Sequence, residues 1–201
     1  MIIKTLVFAT SNVHKLQEMR EILPHYNILG LADIGITEDI PETGQTLEEN
    51  AMIKAQYLYE KTGNPCLSED TGLEVDCLAG APGVHTARYA GDARDPNLNI
   101  ELLLENMITY QDRSAQFKTV ITFLSENESC FFEGVVKGRI AHKKSGAGGF
   151  GYDPIFIPDG FNLTFAELGK EIKNKISHRA RAMSSLVEYL EKSEIKKANP
   201  I

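Results

Sequence analysis

The feature that most constrains this chain is its opening, where a mostly apolar run from Ile2 to Ala9 meets three helix-capping residues, Thr10-Ser11-Asn12. The run does not alternate between apolar and polar, so it reads as a strand buried on both faces. Behind it, Leu16, Met19, Ile22 and Leu23 recur at helical spacing until Pro24 stops the pattern. The chain therefore begins as a strand–turn–helix unit. A leader-peptide reading fits less well. Lys4 interrupts the run, no small-residue cleavage site follows, and Asn12 to Lys15 turns polar at once.

After a polar loop with Pro41 and Gly44, Thr46-x-x-Glu49 forms a capping box before a helix that runs to about Lys61 and stops at Gly63. Cys66 to Asp70 reads as a short strand. Thr71 to Arg94 reads as a long glycine-containing loop, a length uncommon inside a compact domain and often functional. Asp95-Pro96 opens a Leu-rich helix through about Met107. Gln116 to Ser125 and Cys130 to Ala141 read as antiparallel strands, and Ile155-Phe156-Ile157 as another apolar strand. Thr164-x-x-Glu167 caps a short helix. Ser177 opens the last helix, with Ala180, Met183, Leu186, Val187 and Leu190 as its buried stripe and a fraying charged tail from 191 to 201. Alternating strands and helices followed by antiparallel strands predict a mixed α/β sheet.

The 201 residues fit one domain, or one domain divided into two lobes by a cleft, and 42% hydrophobic residues support a sizeable core. A formal net charge of -7 argues against a nucleic-acid partner. No stretch is long enough to span a bilayer, so no membrane partner is expected. The three cysteines, Cys66, Cys77 and Cys130, are odd in number and form no Cys-x-x-Cys pair, which points to a reducing cytoplasm.

Four segments can carry chemistry. Thr10 to Lys15 sits at a helix N-terminus, where unpaired N–H groups, Ser11 and Asn12 side chains and the Lys15 cation suit a phosphate. Taken alone, the motif fits a capped surface helix with a solvated lysine better, since caps of this kind open many helices. Glu42, Glu69 and Asp70 are candidate oxygen ligands for Mg²⁺, which takes one or two carboxylates with substrate phosphates. In an extended chain Glu69 and Asp70 point to opposite faces, and Asp70 is the better placed to look into an opening. Ordinary surface acids are the competing account.

Gly146-Ala-Gly-Gly-Phe-Gly151 matches the dinucleotide-binding string, but a strand rather than a helix follows it, so that reading fails. Phe150 and Tyr152 remain as stacking faces for a flat ligand, against the alternative of a plain glycine turn. Lys173, His178 and Arg179 offer donors to acceptor-rich ligands. The last two occupy a helix's first turn, where the macrodipole disfavours cations. Scattered histidines and the absence of a Gly-x-Ser-x-Gly elbow set aside zinc hydrolysis and acyl transfer.

Together these segments resemble the inosine triphosphate pyrophosphatase family, which acts on non-standard purine nucleoside triphosphates. The likeness is carried by Thr10 to Lys15, Glu42-Thr-Gly44 with Glu49-Asn-Ala51, Glu69-Asp-Thr-Gly-Leu73 and Gly80-Ala-Pro-Gly83. It continues through Ala87-Arg-Tyr89, Gly148 to Asp153 and Ser177-His-Arg179, nearly the whole chain. The resemblance implies an elongated mixed sheet with flanking helices, two lobes about a central cleft, and a homodimer. It implies Mg²⁺-dependent hydrolysis of ITP, dITP and XTP to monophosphate and pyrophosphate, with the purine nucleotide as the partner.

By the same resemblance, Thr10, Ser11, Asn12, Val13, His14 and Lys15 hold the triphosphate. Asp70 activates water and binds Mg²⁺ with Glu42, while Thr71 touches substrate. Phe150, Gly151, Tyr152, Asp153, Lys173, His178 and Arg179 hold the base and its approaches. The chain departs from the pattern at Ser11, where glycine is frequent, at Glu69-Asp70, where many members have two aspartates, and at Pro41, where others carry an acid. Two alternatives stand beside this reading: a related pyrophosphatase of other base specificity, and a nucleotide-binding module without turnover.

Overall fold

The computed structural model describes residues 4–198, and for His14 and 194–198 it describes the backbone alone. The expected strand residues Ile2 and Ile3, and the tail residues 199–201, lie outside the described residues. The chain divides into two compact units. One comprises Met1–Asp70, Val120–Phe132 and Met183–Ile201, the other Thr71–Thr119 and Glu133–Ala182.

The first unit is built on strand β1, Lys4–Phe8, whose Leu6, Val7 and Phe8 are all buried. Helix α1, Val13–Ile22, follows it, then β2, Tyr26–Leu29, which pairs parallel to β1 with Leu6 opposite Ile28. Helix α2, Leu47–Thr62, leads to β3, Cys66–Val75, which pairs parallel to β1 on its other side, with Val7 opposite Cys66. A strand with a parallel neighbour on each edge is the setting in which uninterrupted apolar sequence belongs. The expected buried first strand is therefore observed. Strand β2 was not anticipated. It is four residues long and lies in the stretch read as a polar loop, with a 3₁₀ turn, Ala32–Ile34, close behind it.

Thr46 caps α2 as expected, its hydroxyl accepting from Glu49 N at 3.1 Å. The Glu49 carboxylate accepts from Gln45 N instead of closing the box on Thr46. At the other end Gly63 takes a left-handed φ of 63° and its N–H returns to Tyr59 O.

In the second unit, the segment read as a long loop is more ordered than expected. β3 continues through Thr71-Gly72 to Val75. Two 3₁₀ turns, Asp76–Leu78 and Thr86–Arg88, flank β4, Pro82–Gly83, which pairs antiparallel to β3. Gly72 had read as a strand end, but its neighbours Leu73 and Val75 are buried and hold the strand in the core. Helix α3, Pro96–Asn106, starts as expected, with the Asp95 carboxylate accepting from Asn97 N and Leu98 N. Phe117, Phe156 and Phe165 form the unit's aromatic centre, with ring centroids 4.7 and 5.3 Å apart about Phe156.

Strands β5, Ser114–Leu124, and β6, Ser129–Ile140, are hydrogen-bonded neighbours. The short turn between them, closed by Ser125 N to Glu128 O, permits only the antiparallel sense. β7, Phe156–Pro158, adds antiparallel to β6 and completes a seven-stranded sheet of order β2-β1-β3-β5-β6-β7, with β4 beside β3. This is the mixed α/β sheet with flanking helices that the sequence predicts.

Thr164 and Glu167 form a full capping box on α4, Phe165–Ile176, which Gly169 interrupts at φ 77°. The last helix, α5, spans His178–Ala198, past the point where the tail was expected to fray. On it Ala182, Met183, Leu186 and Leu190 are buried, whereas Ala180 and Val187 are half-buried. Among the described residues, no helix is long and apolar enough to cross a membrane.

Candidate functional site

In the first unit the chemistry-bearing residues sit just beyond the carboxyl end of β1 and, on β3, in the middle of the strand, past its last pairing with β1 at Leu67. Beyond β1, Thr10 Oγ1 accepts from Asn12 N at 3.1 Å, and Asn12 Oδ1 caps α1 by accepting from Lys15 N at 3.2 Å. Ser11, Asn12 and Val13 are exposed. The Lys15 ammonium is paired with Glu69, which is itself buried on β3.

Glu69 and Asp70 take different partners, as adjacent residues of an extended strand must. Asp70 meets Lys54. The Lys54 ammonium lies 3.1 Å from Asp70 Oδ1 and 2.7 Å from Glu42 Oε1, so one buried cation holds two carboxylates. The loop that carries Glu42 is pressed against the start of α2. Gly44 N donates to Asn50 Oδ1 at 2.8 Å, and a Cβ on Gly44 would come within 2.6 Å of the Glu49 Cβ. Burial raises the Asp70 pKa above the ordinary carboxylate value, and Glu42 raises it further. Lys54 and the Asn50 amide pull it partly back. A buried carboxyl beside both a cation and a second acid is able to take up a proton more readily than an ordinary surface carboxylate.

Among the described residues no three His, Cys, Asp or Glu side chains gather round one point. Two carboxylates already converging on a single positive charge do fit Mg²⁺, which keeps most of its shell as water and phosphate oxygen. The buried Asn50 amide adds a donor beside that pair.

Lys54 and Asn50 were not singled out in the sequence, although the signal was there. The buried stripe of α2 is Leu47, Asn50, Ala51, Lys54, Ala55 and Leu58, so both polar residues occupy core positions. A lysine on an apolar stripe needs a partner.

In the second unit, Thr71 Oγ1 is hydrogen-bonded to Thr119 Oγ1 at 2.7 Å. The glycine-rich segment is a tethered loop. Phe150 is 76% exposed, and its N–H donates to Asp153 Oδ2 at 2.8 Å. The same buried carboxylate pairs with Lys173, whose ammonium also lies 5.6 Å from the Phe165 ring centroid. Gly149, at φ 82°, leaves room for this arrangement, since a Cβ there would stand 2.4 Å from Asp153 Oδ2. Gly151 also holds a left-handed φ, of 58°.

Of the two rings proposed as stacking faces, only Phe150 offers one. Tyr152 is 3% exposed and packs in the core, its hydroxyl donating to Thr86 O at 3.1 Å, and burial pushes its pKa up. His178 is buried too, its ring stacked on Phe117 at 4.7 Å and 16°. β6 approaches this helix start so closely that a Cβ on Gly134 would overlap His178 O. Arg179, half-buried, follows in the same turn.

In the first unit the structure thus gathers Glu42 and Asp70 on Lys54 and, separately, pairs Lys15 with Glu69. In the second it ties Phe150 and Asp153 to Lys173, while Thr71, Tyr152 and His178 are engaged by their own neighbours.

A model of the Ham1 family matches residues 6–189. The chain is 50% identical to a dITP/XTP pyrophosphatase of Porphyromonas gingivalis over 187 residues, covering 92% of this chain and 96% of that one. It is 51% identical to a dITP/XTP pyrophosphatase of Christiangramia forsetii over 188 residues, covering 93% and 99%. Among solved structures, the Ham1 protein of Staphylococcus aureus superposes with a TM-score of 0.91 at 40% identity, covering 94% of this chain and all of that one.

Proposed function

The chain belongs to the Ham1 family, and on that premise we propose that it hydrolyses non-standard purine nucleoside triphosphates, ITP, dITP and XTP, to monophosphate and pyrophosphate. The reaction removes such nucleotides from the pool. The observation that carries this reading is the convergence of Glu42 and Asp70 on one cation, with the Asp70 carboxyl made more basic by burial.

In this reading Asp70 is the catalytic residue. It accepts a proton from, and orients, the water that attacks the α-phosphorus, so that the α–β bridging oxygen leaves with pyrophosphate. Glu42 and Asp70 hold Mg²⁺. When bound, the ion neutralises phosphate charge and lowers the barrier to attack by an anionic or polarised water. Lys54 keeps the two carboxylates together and turns its charge to a phosphate oxygen. The α1 N-terminus, from Thr10 through Ser11, Asn12, Val13 and His14 to Lys15, receives the triphosphate through backbone N–H groups and the Lys15 ammonium. Thr71 contacts the substrate next to Asp70.

The second unit reads the base. Phe150 stacks on it, Gly151, Tyr152 and Asp153 shape the loop behind, and Lys173, His178 and Arg179 donate towards the purine's oxygen edge. A 6-keto purine offers O6 as an acceptor to these donors. Adenine offers a 6-amino donor instead, leaving a buried polar group unpaired at a cost of roughly 1–3 kcal/mol. The two units act as a single pyrophosphatase domain of a cytoplasmic homodimer. Three cysteines without a disulfide support the reducing compartment.

The deciding experiment measures pyrophosphate release from ITP, XTP, GTP, ATP and dUTP with Mg²⁺. Preference for ITP and XTP supports the reading. Equal rates on all five would defeat the 6-keto selection and favour a related pyrophosphatase of broader specificity. No Mg²⁺-dependent release from any would favour a binding module.

A further inference from the structure

Within the second unit, the glycine-rich loop is fastened at a point that the nucleotide reading does not use. Ser145, at the foot of the loop, has three polar groups engaged. Its hydroxyl donates to Glu167 Oε1 at 2.6 Å, its carbonyl accepts from Thr164 Oγ1 at 2.9 Å, and its N–H donates to Pro154 O at 2.8 Å. Glu167 is at the same time the closing member of the α4 capping box, its Oε2 accepting from Thr164 N at 2.8 Å. The two carboxylate oxygens therefore have separate tasks: one caps the helix and the other grips the loop.

Close packing reinforces the fastening. A Cβ on Gly146 would come within 2.8 Å of Ala166 C and Glu167 N, so the loop lies directly on the first turn of α4. At the far end Phe150 N is held by Asp153, whose own carbonyl accepts from Ala166 N at 3.2 Å. Only 146–149 remain between the anchors, and three of those four residues are glycine. Such a segment has little conformational preference of its own. The orientation of the exposed Phe150 ring must come from the anchors.

We propose that Ser145 and Glu167 are positioning residues for base recognition, latching the Gly146–Phe150 loop to the N-terminus of α4 so that Phe150 is presented in the binding orientation. The proposal rests on the nucleotide reading of Phe150 given above. It adds two residues that touch neither the phosphates nor the metal ligands, and it assigns the surface carboxylate of a helix cap to substrate selection. The latch acts on binding, not on the chemical step, because its contacts end at the loop. Hydrogen bonding by both partners holds the Glu167 pKa below the usual glutamate value, so the grip is charge-assisted at neutral pH.

The test measures kcat and KM for ITP, by pyrophosphate release, in the wild type, Ser145→Ala, Glu167→Ala, Glu167→Gln and the Ser145→Ala/Glu167→Ala double variant, with Tm for each. Ser145→Ala leaves the capping box whole, so it separates the latch from helix stability. It is expected to raise KM about tenfold with kcat within about twofold, the effect of losing one charge-assisted hydrogen bond. Glu167→Ala should match it in KM. The double variant should be no worse than the poorer single, because both remove one contact. Glu167→Gln should restore KM, since its amide oxygen can accept from Thr164 N while its NH₂ donates to Ser145 Oγ.

An unchanged KM in Ser145→Ala, or fully additive effects in the double variant, would overturn the latch. So would a fall in kcat that tracks Tm. A wild type without turnover on ITP, XTP or dITP would instead overturn the functional reading and this proposal's ligand with it. Wild-type turnover with unmoved KM in the variants defeats the latch alone.

Discussion

Replacing Lys54 by methionine isolates the central electrostatic feature of the first unit. The side chain keeps its length and loses its charge, so Glu42 and Asp70 remain in place without their shared counterion. Each carboxylate oxygen lies about 3 Å from the ammonium, which at an effective dielectric of ~20 corresponds to about 5 kcal/mol of attraction per pair. Desolvation of the lysine offsets much of that. Removing one partner of a buried ion pair nevertheless costs about 3–5 kcal/mol, because the remaining charge is left uncompensated. For a chain of 201 residues, about 3 kcal/mol lowers Tm by roughly 6–12 °C.

The loss should depend on pH with a defined sign. Burial already raises the Asp70 pKa in the folded state, and Lys54 is the larger of the two influences restraining it. Without Lys54 the folded pKa rises further above the unfolded value. The folded state then binds more protons than the unfolded state between those two values, and stability falls as pH rises through that window. Acidification should therefore narrow the Tm gap between variant and wild type. Saturating Mg²⁺ should narrow it as well at neutral pH, because a divalent ion between the two carboxylates supplies the missing charge, whereas in the wild type it must compete with the ammonium. Thermal denaturation of both proteins across pH 5 to 8, with and without Mg²⁺, measures all three effects. A variant as stable as the wild type at neutral pH would refute the reasoning, and so would an equal Mg²⁺ shift in the two proteins.

Asp70→Asn should lower kcat for ITP by at least about 10²- to 10⁴-fold, the range of a lost general base, while circular dichroism and Tm stay near wild type. Phe150→Ala should leave Tm within about a degree, since the ring is mostly solvent-exposed, but raise KM for ITP roughly tenfold or more through lost base stacking. Tyr152→Phe removes only the hydroxyl bond to Thr86 O and should leave kcat within about twofold, with a stability loss of about 1 kcal/mol. Cys66 is fully buried and its thiol is pushed up to about 11, so native protein at pH 8 should leave it unalkylated by iodoacetamide, with Cys77 and Cys130 labelling first in mass spectra.

What the sequence revealed of this molecule follows physical lines. Helix boundaries were readable because their signals are local. Asp95-Pro96, Thr164-x-x-Glu167 and Gly63 each act through hydrogen bonds or a φ angle within four residues, and each does so in the structure. Strand β2 was not readable, since Tyr26-Asn27-Ile28-Leu29 becomes a strand only through β1, some twenty residues upstream. The continuation of β3 past Gly72 was hidden for a related reason. Its register is set by pairing with β4 and by the burial of Leu73 and Val75, which outweigh glycine's weak strand preference.

The site divides in the same way. Asp70, Glu42 and Lys15 were recoverable as residue types in a recognisable order, but their partners were not. That Lys15 would meet Glu69 while Lys54 gathered Glu42 and Asp70 depends on where α1 and α2 lie against β3, a tertiary fact. Tyr152 shows the opposite error, because an aromatic next to a glycine-rich loop suggested a ligand when its ring was needed by the core. Lys54 was the residue that sequence logic could have found. A lysine three residues from Ala51 and four from Leu58 lies on the apolar stripe, and a buried ammonium requires carboxylates within reach. Here those carboxylates are Glu42 and Asp70. Polar residues that break a buried stripe are therefore better guides to a converging pair of carboxylates than the acids themselves, which are common on every surface.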